Sequence, residues 1–262
     1  MKQVRHETGS ICSQDGTHIA YSVQGQGPLL LLVHGALSDR MSAHRLVELL
    51  ASQYTVITYD RRGRGESQDA LTYSVQKEIY DLQILVQTVG YPEYVYGMSS
   101  GALLVLTAAQ HIPFSLLALY EPPGHMPKKQ LRQMNEKLHR FLLEDKRDEA
   151  VETFFSEAVG MPSEVVKGLK RGRIWSKLLA TAHTLPYDIA LAEQFCLETI
   201  RHVKTPSIVM GGTLSPQPVQ QCVTDIAHAL PHAQAKLLSG QGHNVDATAI
   251  HPYLVEFFSN AE

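Results

Sequence analysis

The stretch YVYGMSSGALLVLTAAQ, residues 94–110, contains the pattern that decides the fold. It opens with an apolar run typical of a buried strand, and residues 102–110 have the composition of a helix. Between the two stands Gly97-Met98-Ser99-Ser100-Gly101, a Gly-x-Ser-x-Gly motif. At a sharp turn from strand to helix, such a motif holds the serine hydroxyl exposed above a sheet, and the flanking glycines avoid steric clashes. The pattern therefore predicts a nucleophile elbow with Ser99 as the nucleophile.

Similar apolar runs on either side of this motif predict further strands, and helical patterns lie between them. The predicted strands are residues 17–23, 29–33, 54–59, 94–97, 115–120, 207–210 and 235–238, and the predicted helices are residues 41–50, 75–89, 102–110, 218–230 and 250–258. Strands that alternate with helices predict a mostly parallel sheet with helices on both faces, because each connection must be long enough to return in the same direction.

The character of the chain changes after residue 122. Residues 123–203 have helical periodicity and many charged residues, without a convincing buried strand. The sequence therefore predicts one α/β core domain, residues 1–122 and 204–262, interrupted by a helical cap at residues 123–203. A minority of the apolar cap residues should line a pocket, the usual character of a small-ligand site. Leu37 and Met98 are expected to join them.

A serine hydroxyl is a poor nucleophile unless a base lies within hydrogen-bond reach. Among the 13 histidines, His243 is best placed, since it follows the last predicted strand and precedes the last predicted helix. Active sites collect at the carboxyl ends of the strands in such sheets. His34 also follows a strand, but there we assign the chemistry to the backbone. The amides of Ala36 and Ser100 are expected to form an oxyanion hole, and the imidazole of His34 to be structural.

Four pieces in this order resemble the α/β-hydrolase superfamily over nearly the whole chain: His34-Gly35, the stretch YDRRGRGES at residues 59–67, the elbow around Ser99, and Gly242-His243. The resemblance implies a mostly parallel eight-stranded sheet, a triad of Ser, acid and His, an oxyanion hole and a cap over the site. Asp60 and the arginines that follow it resemble a loop that commonly braces the active-site base in the family. We expect them to have a structural role.

The acid of the triad departs from the family pattern. The family usually places an Asp in the loop after the strand that here ends at Met210, yet residues 211–216 read GGTLSP. The next carboxylate, Asp225, falls within a predicted helix and is too far along the chain to reach this loop.

Glu121 offers a replacement, since it directly follows the predicted strand at residues 115–120 and its loop neighbours the usual site. Some family members carry the acid at that strand, and geometry rather than sequence position defines the role. We therefore predict Glu121 as the acid that orients His243. The alternative is a glutamate that caps the turn made by the next two prolines, and Asp246 is the second candidate acid.

The amino-acid composition limits the classes of partner that the protein is expected to bind. The net charge of -3 gives no general attraction to nucleic acid or anionic lipid. The three cysteines, Cys12, Cys196 and Cys222, are widely spaced, which suits a reducing compartment. No stretch approaches the roughly 18 apolar residues of a membrane span. We expect a cytoplasmic protein that acts on a small-molecule substrate, with no nucleic acid or membrane partner, no metal and no organic cofactor.

The predicted activity is hydrolysis of a small, largely apolar carboxylic ester or lactone through an acyl-enzyme intermediate. One alternative is carbon-carbon bond or thioester hydrolysis by the same triad, because one fold supports many chemistries. Another is a receptor-like protein that binds a ligand with a slow or vestigial triad. Serine at position 99 argues against dehalogenase and epoxide hydrolase chemistry, which resembling enzymes perform with an aspartate nucleophile.

Overall fold

An eight-stranded sheet organises the residues that the computed structural model describes, 5–124 and 126–260. Its strands are β1 (Arg5–Cys12), β2 (His18–Gly25), β3 (Leu29–Val33), β4 (Thr55–Tyr59), β5 (Tyr94–Met98), β6 (Leu116–Tyr120), β7 (Ser207–Gly212) and β8 (Ala233–Leu238). Their spatial order is β1-β2-β4-β3-β5-β6-β7-β8. The pairs β1–β2 and β2–β4 are antiparallel, and all the others are parallel. The mostly parallel eight-stranded sheet is as expected.

The α-helices of the described ranges connect successive strands or lie between β6 and β7, except for the last one, which follows β8. They are α1 (His44–Leu50), α2 (Val75–Val89), α3 (Ser100–Ala108), α4 (Lys128–Leu143), α5 (Arg147–Thr153), α6 (Ser163–Arg171), α7 (Ile174–Ala180), α8 (Leu185–Gln194), α9 (Leu197–Ile200), α10 (Gln217–Ala229) and α11 (Ala247–Ser259). Within the described ranges, none of them combines the length and the apolar character that crossing a membrane requires.

The strand β1 is absent from the pattern-based prediction. It is an edge strand that pairs only with β2, and its described side chains are mostly polar and exposed, with Ile11 as the buried exception. Such a strand has no continuous apolar run by which it could be recognised. It completes the eight strands, of which the sequence pattern located seven.

Helices cover both faces of the sheet. Residues of α2, α3 and α10 form one hydrophobic cluster with one face, and residues of α1 and α11 form a second cluster with the other. Within β3, the fully buried neighbours Leu30 and Leu31 belong to opposite clusters. The strand is uniformly apolar because successive side chains point to opposite faces and both faces are covered.

The helices α4 to α9 lie in residues 123–203, which we call the helical insertion. It has a hydrophobic cluster of its own, and in α4 the buried residues Leu131, Met134 and Leu138 follow helical spacing along one face. Ala36 and Leu37, from the loop after β3, pack against this cluster. The insertion therefore lies over the carboxyl ends of the parallel strands.

Candidate active site

Ser99 lies at the junction of β5 and α3 in a left-handed backbone conformation, with φ 54° and ψ −129°. A Cβ atom on Gly97 would lie 2.8 Å from the Cα of Ala102, and one on Gly101 would lie 2.3 Å from the carbonyl oxygen of Val33. Both contacts are with backbone atoms, so only glycine fits at these two positions, each two residues away from the serine. The sharp turn holds Ser99 in the wall of a cavity at the carboxyl edge of the sheet.

His243 lies in the loop between β8 and α11 and lines the same cavity as Ser99. Its Nδ1 is 2.8 Å from Oε2 of Glu121. The hydroxyl of Tyr120 donates a hydrogen bond of 2.7 Å to the carbonyl oxygen of Gly242, which anchors the histidine loop to the end of β6. With Nδ1 donating to a carboxylate, the lone pair resides on Nε2, the tautomer that a general base needs.

Glu121 directly follows β6 and is only 2% exposed. Its backbone is left-handed, with φ 45°, while its amide still donates to the carbonyl oxygen of Met210. Its Oε1 accepts hydrogen bonds from the amide of Gly212 (2.8 Å) and the hydroxyl of Ser215 (2.5 Å). Burial opposes ionisation, but the hydrogen bonds from His243, Ser215 and Gly212 outweigh it and hold the pKa of Glu121 below its usual value. The carboxylate is therefore ionised beside the imidazole.

The other two carboxylates considered from the sequence lie elsewhere. Asp225 is exposed on α10, where it accepts a hydrogen bond from Gln221. Asp246 is exposed at the start of α11, and its carboxylate accepts a hydrogen bond of 2.7 Å from the amide of Thr248. Asp246 is thus the N-cap of a helix. Of the three acids, the structure brings Glu121 to His243.

The amides of Ala36 and Ser100 belong to the two turns that flank the nucleophile. Ser100 is the first residue of α3, so its amide has no carbonyl of the helix to bind. A Cβ on Gly35 would lie 2.9 Å from the Cβ of Ser99, which shows how closely the loop after β3 approaches the elbow. Ala36 and Ser100 line the cavity together with Ser99. This arrangement can present two donors to an oxyanion that forms at the serine.

Two adjoining cavities meet at Ser99, and Ala36, Val159 and His243 line both of them. The smaller has a volume of about 70 Å³ and the larger about 190 Å³. The apolar side chains that line only the smaller cavity come from several elements and include Phe154, Ala158, Ile189, Ala192 and Val219. Those that line only the larger cavity include Leu37, Met98, Phe155, Met161, Leu169 and Leu178. Leu37 and Met98, which the sequence assigns to a substrate pocket, both line this larger cavity.

The charged side chains in these walls are few. Besides His243, the lining residues of the two cavities carry only the carboxylates of Glu121 and Asp188, and no lysine or arginine. Within residues 5–124 and 126–260, no group of three or more His, Cys, Asp or Glu side chains is arranged to hold a metal ion.

His34 and Asp60 have structural surroundings. His34 is buried, and desolvation lowers its pKa to about 4, so the imidazole is neutral. Asp60 accepts hydrogen bonds from the amides of Arg40 and Glu66 and pairs with the Arg40 guanidinium. Asp60 therefore stabilises its own loop, and its carboxylate contacts Arg40 and Glu66 instead of His243, in contrast to the role that the family resemblance implies for its position.

Two arginines of this loop reach the site through a residue that the sequence analysis missed. Arg61 pairs with both oxygens of Glu78 through Nε (2.6 Å) and Nη2 (2.7 Å). Its Nη1 lies 2.8 Å from Oδ1 of Asp188, and Nη2 of Arg64 lies 2.7 Å from Oδ2. The hydroxyl of Ser100 donates to Asp188 Oδ1 at 2.7 Å. The sequence feature that could have indicated Asp188 is that it is a single carboxylate in the otherwise apolar stretch LPYDIALA of α8.

Comparison with known proteins identifies the family of this chain. A family model described as "Alpha/beta hydrolase family" matches residues 30–252. The chain belongs to the alpha/beta hydrolase family. The crystal structure of an alpha/beta hydrolase from Sphaerobacter thermophilus shares 39% sequence identity with it, covers 95% of this chain and 100% of that one, and superimposes with a TM-score of 0.87. This chain is a member with a serine at the elbow and a glutamate beside the histidine.

Two further relatives of this alpha/beta hydrolase differ in how much they share with it. The uncharacterized hydrolase YraK of Bacillus subtilis (strain 168) is 42% identical over 95 residues, and the match spans 35% of each protein. A thermophilic esterase from Thermogutta terrifontis is 20% identical, with 97% of this chain and 99% of that chain covered and a TM-score of 0.74. At that identity the likeness concerns the fold alone.

Proposed function

We propose that this alpha/beta hydrolase is a serine hydrolase that cleaves a small, largely apolar carboxylic ester or lactone through an acyl-enzyme intermediate. One observation carries the proposal: the 2.8 Å contact between His243 Nδ1 and Glu121, beside a cavity that Ser99 also lines. A nucleophile, a base and a carboxylate that orients the base are the three groups required for acyl transfer by serine.

In the proposed mechanism, the hydroxyl of Ser99 attacks the substrate carbonyl carbon while His243 Nε2 takes the hydroxyl proton. Glu121 stabilises the imidazolium that forms. The amides of Ala36 and Ser100 donate hydrogen bonds to the developing oxyanion. His243 then gives its proton to the leaving alkoxide, and the ester bond breaks to leave an acyl group on Ser99. Water activated by His243 hydrolyses this acyl-enzyme and releases the acid.

The cavity walls support an uncharged substrate. Apart from the catalytic groups and Asp188, the side chains named in the two cavities are mostly aliphatic, aromatic or thioether. An anionic substrate would lack a basic partner other than the histidine, and burying an unpaired charge is unfavourable. The small volumes favour short apolar groups on both sides of the reacting carbonyl.

Replacing the nucleophile tests this proposal. Ser99→Ala should reduce the turnover of p-nitrophenyl acetate and butyrate by about 10³-fold or more, because acyl transfer loses its attacking atom. Ser52, an exposed serine that follows α1 and lines neither cavity, supplies the matched control. Ser52→Ala should keep wild-type turnover. A fluorophosphonate probe should label the wild-type protein and the control but not Ser99→Ala. Wild-type rates in Ser99→Ala, or folded wild-type protein that does not react with the probe, would contradict the proposal.

A further inference from the structure

Asp188 joins the helical insertion to the nucleophile elbow. It comes from α8 of the insertion, is 3% exposed, and lines the smaller cavity. Its Oδ1 accepts from the Ser100 hydroxyl and from Arg61, and its Oδ2 accepts from Arg64. All three partners belong to the core. A carboxylate of the insertion therefore contacts the residue next to Ser99 and both arginines that lie beneath it.

This cluster is electrically balanced and fully buried. Two guanidinium groups, Arg61 and Arg64, face two carboxylates, Glu78 and Asp188, and none of the four is more than 3% exposed. Burial opposes ionisation of Glu78, but the neighbouring guanidinium groups lower its pKa to about 2. Because buried ion pairs contribute little net stability over an apolar replacement, their contacts with the site are the more informative feature.

Arg64 contacts the peptide that carries one of the proposed oxyanion donors. Its Nη1 donates to the carbonyl oxygen of Gly35 at 3.4 Å. The Gly35 carbonyl and the Ala36 amide belong to one planar peptide group and point in opposite directions. A cation that fixes the direction of the carbonyl therefore fixes the direction of the amide. It also polarises the peptide, which strengthens the amide as a donor. Arg61 makes the equivalent contact with the carbonyl oxygen of His34, at 3.4 Å.

Ser100 carries the second proposed donor on its own backbone. Its hydroxyl donates to Asp188 at 2.7 Å and accepts from Nη1 of Arg61 at 3.2 Å. These contacts hold the first residue of α3, and hence its free amide, in one orientation. Both amides assigned to the oxyanion hole are thus connected to Asp188, one through Arg64 and the other through the side chain of the same residue.

We propose that Asp188 is a positioning residue that couples the seating of the helical insertion to the oxyanion hole, through Arg64 for the Ala36 amide and through Ser100 for the second amide. The inference rests on the proposed function and deepens it. Asp188 touches neither the reacting carbonyl nor the catalytic proton in this scheme. Its effect is on how well two backbone donors are aligned when charge develops in the transition state.

The variant Asp188→Asn tests the coupling. The amide keeps the size of the side chain but removes the charge that holds Arg61 and Arg64. With p-nitrophenyl butyrate, and with rates expressed per fluorophosphonate-reactive site, kcat should fall by about 10- to 100-fold while KM changes little, since the lost interaction belongs to the transition state. Binding of an alkyl trifluoromethyl ketone, whose adduct with Ser99 places an oxyanion in the same hole, should weaken by a similar factor.

Asp81→Asn is the matched control for lost stability. Asp81 is equally buried and pairs with both Nε and Nη2 of Arg62, a residue of the same loop that does not line either cavity. This variant should lower the melting temperature in the same way but keep wild-type kcat and ketone affinity. Ser100→Ala is the milder second test, because it cuts one connection without leaving a buried charge. It should lower kcat by about threefold to tenfold with the fold intact.

The outcomes separate clearly. A kcat and ketone affinity that fall in Asp188→Asn and Ser100→Ala, but not in Asp81→Asn, support the coupling. Wild-type kcat and ketone affinity in Ser100→Ala, or in a folded Asp188→Asn, would overturn it even if the melting temperature falls. A wild-type protein that neither reacts with the fluorophosphonate nor cleaves esters would overturn the proposed function, and this inference with it.

Discussion

The carboxyl ends of β6 and β7 lie side by side, yet they contribute different groups to the site: a hydrogen-bond acceptor follows β6, and hydrogen-bond donors lie at the end of β7. The two strands pair in register, with Tyr120 opposite Met210. After β6 comes Glu121, which provides the carboxylate, whereas β7 ends in two glycines. The end of β7 and the turn that follows it provide the donors that hold this carboxylate, the amide of Gly212 and the hydroxyl of Ser215. In the proposed triad, the acid therefore follows β6, and the end of the neighbouring strand β7 supplies its hydrogen-bond donors.

The sharpest way to break this comparison is Glu121→Gln. The variant should lower kcat on p-nitrophenyl butyrate by about 10³- to 10⁴-fold, because an amide cannot stabilise the imidazolium or enforce the required tautomer. Asp246→Asn is the control, since Asp246 only caps α11, and its kcat should stay within about twofold of wild type. The opposite ranking of the two variants would assign the acid to Asp246.

Gly212→Ala tests the other half of the comparison. A Cβ at this position would lie 2.1 Å from the carbonyl oxygen of Gln241, so the histidine loop or the end of β7 must shift. We expect about 1–3 kcal/mol of lost stability, by analogy with overpacking, together with a kcat about 10- to 100-fold lower. Gly168→Ala is the control, because no neighbouring atom lies within 4 Å of a Cβ there. Unchanged activity and melting temperature in Gly212→Ala would show that the β7 end tolerates a side chain.

Moving the carboxylate back towards β7 sharpens the comparison further. In the single variant Glu121→Ala, the imidazole loses its carboxylate partner. The double variant adds Ser215→Asp to this change. Because the Ser215 hydroxyl lies 2.5 Å from Oε1 of Glu121, an aspartate there reaches nearly the same space. The double variant should have a kcat about tenfold higher than that of Glu121→Ala. A tenfold change corresponds to the free energy of a shift of one pKa unit, which is the size of interaction expected between the new carboxylate and the imidazolium. Equal rates in the two variants would mean that the strand, and not merely the charge, determines the function.

The smallest expected effect is on stability in acid. The pKa of Glu121 is lower in the folded protein than in the unfolded chain. Its contribution is therefore fully present above the unfolded value and is lost as the pH falls through the folded one. In urea unfolding, the stability advantage of wild type over Glu121→Gln should be present near neutral pH and should shrink as the pH falls below the usual carboxyl range. Parallel curves down to pH 3 would mean that the hydrogen bonds do not favour the ionised form.

Several parts of the fold could be predicted from local pattern alone. The strands β3 and β6 are uniformly apolar because helices cover both of their faces, and their boundaries differ from the prediction by at most one residue. The edge strand β1 has one partner and mostly exposed polar side chains, so its pairing with β2, and not its composition, defines it.

The candidate site divides in the same way. Ser99, His243 and Glu121 each follow a predictable strand, and parallel strands bring their carboxyl ends to one edge of a sheet. Asp188 follows no such rule. It lies 88 residues from Ser100 and 124 residues from Arg64 along the chain, on a helix whose packing depends on the tertiary structure. No periodicity connects such partners, and only the folded arrangement shows that this carboxylate belongs to the site.

The non-glycine residues with positive φ create a conflict between activity and thermal stability. Of the four non-glycine residues with positive φ in the described ranges, three, Leu37, Ser99 and Glu121, surround the site. A backbone conformation of this kind costs a residue other than glycine about 1–3 kcal/mol. Laboratory evolution that selects only for survival of heating would therefore favour glycine at Ser99, which would remove the proposed nucleophile. A directed-evolution experiment that aims at a higher melting temperature for this protein must therefore also select for turnover.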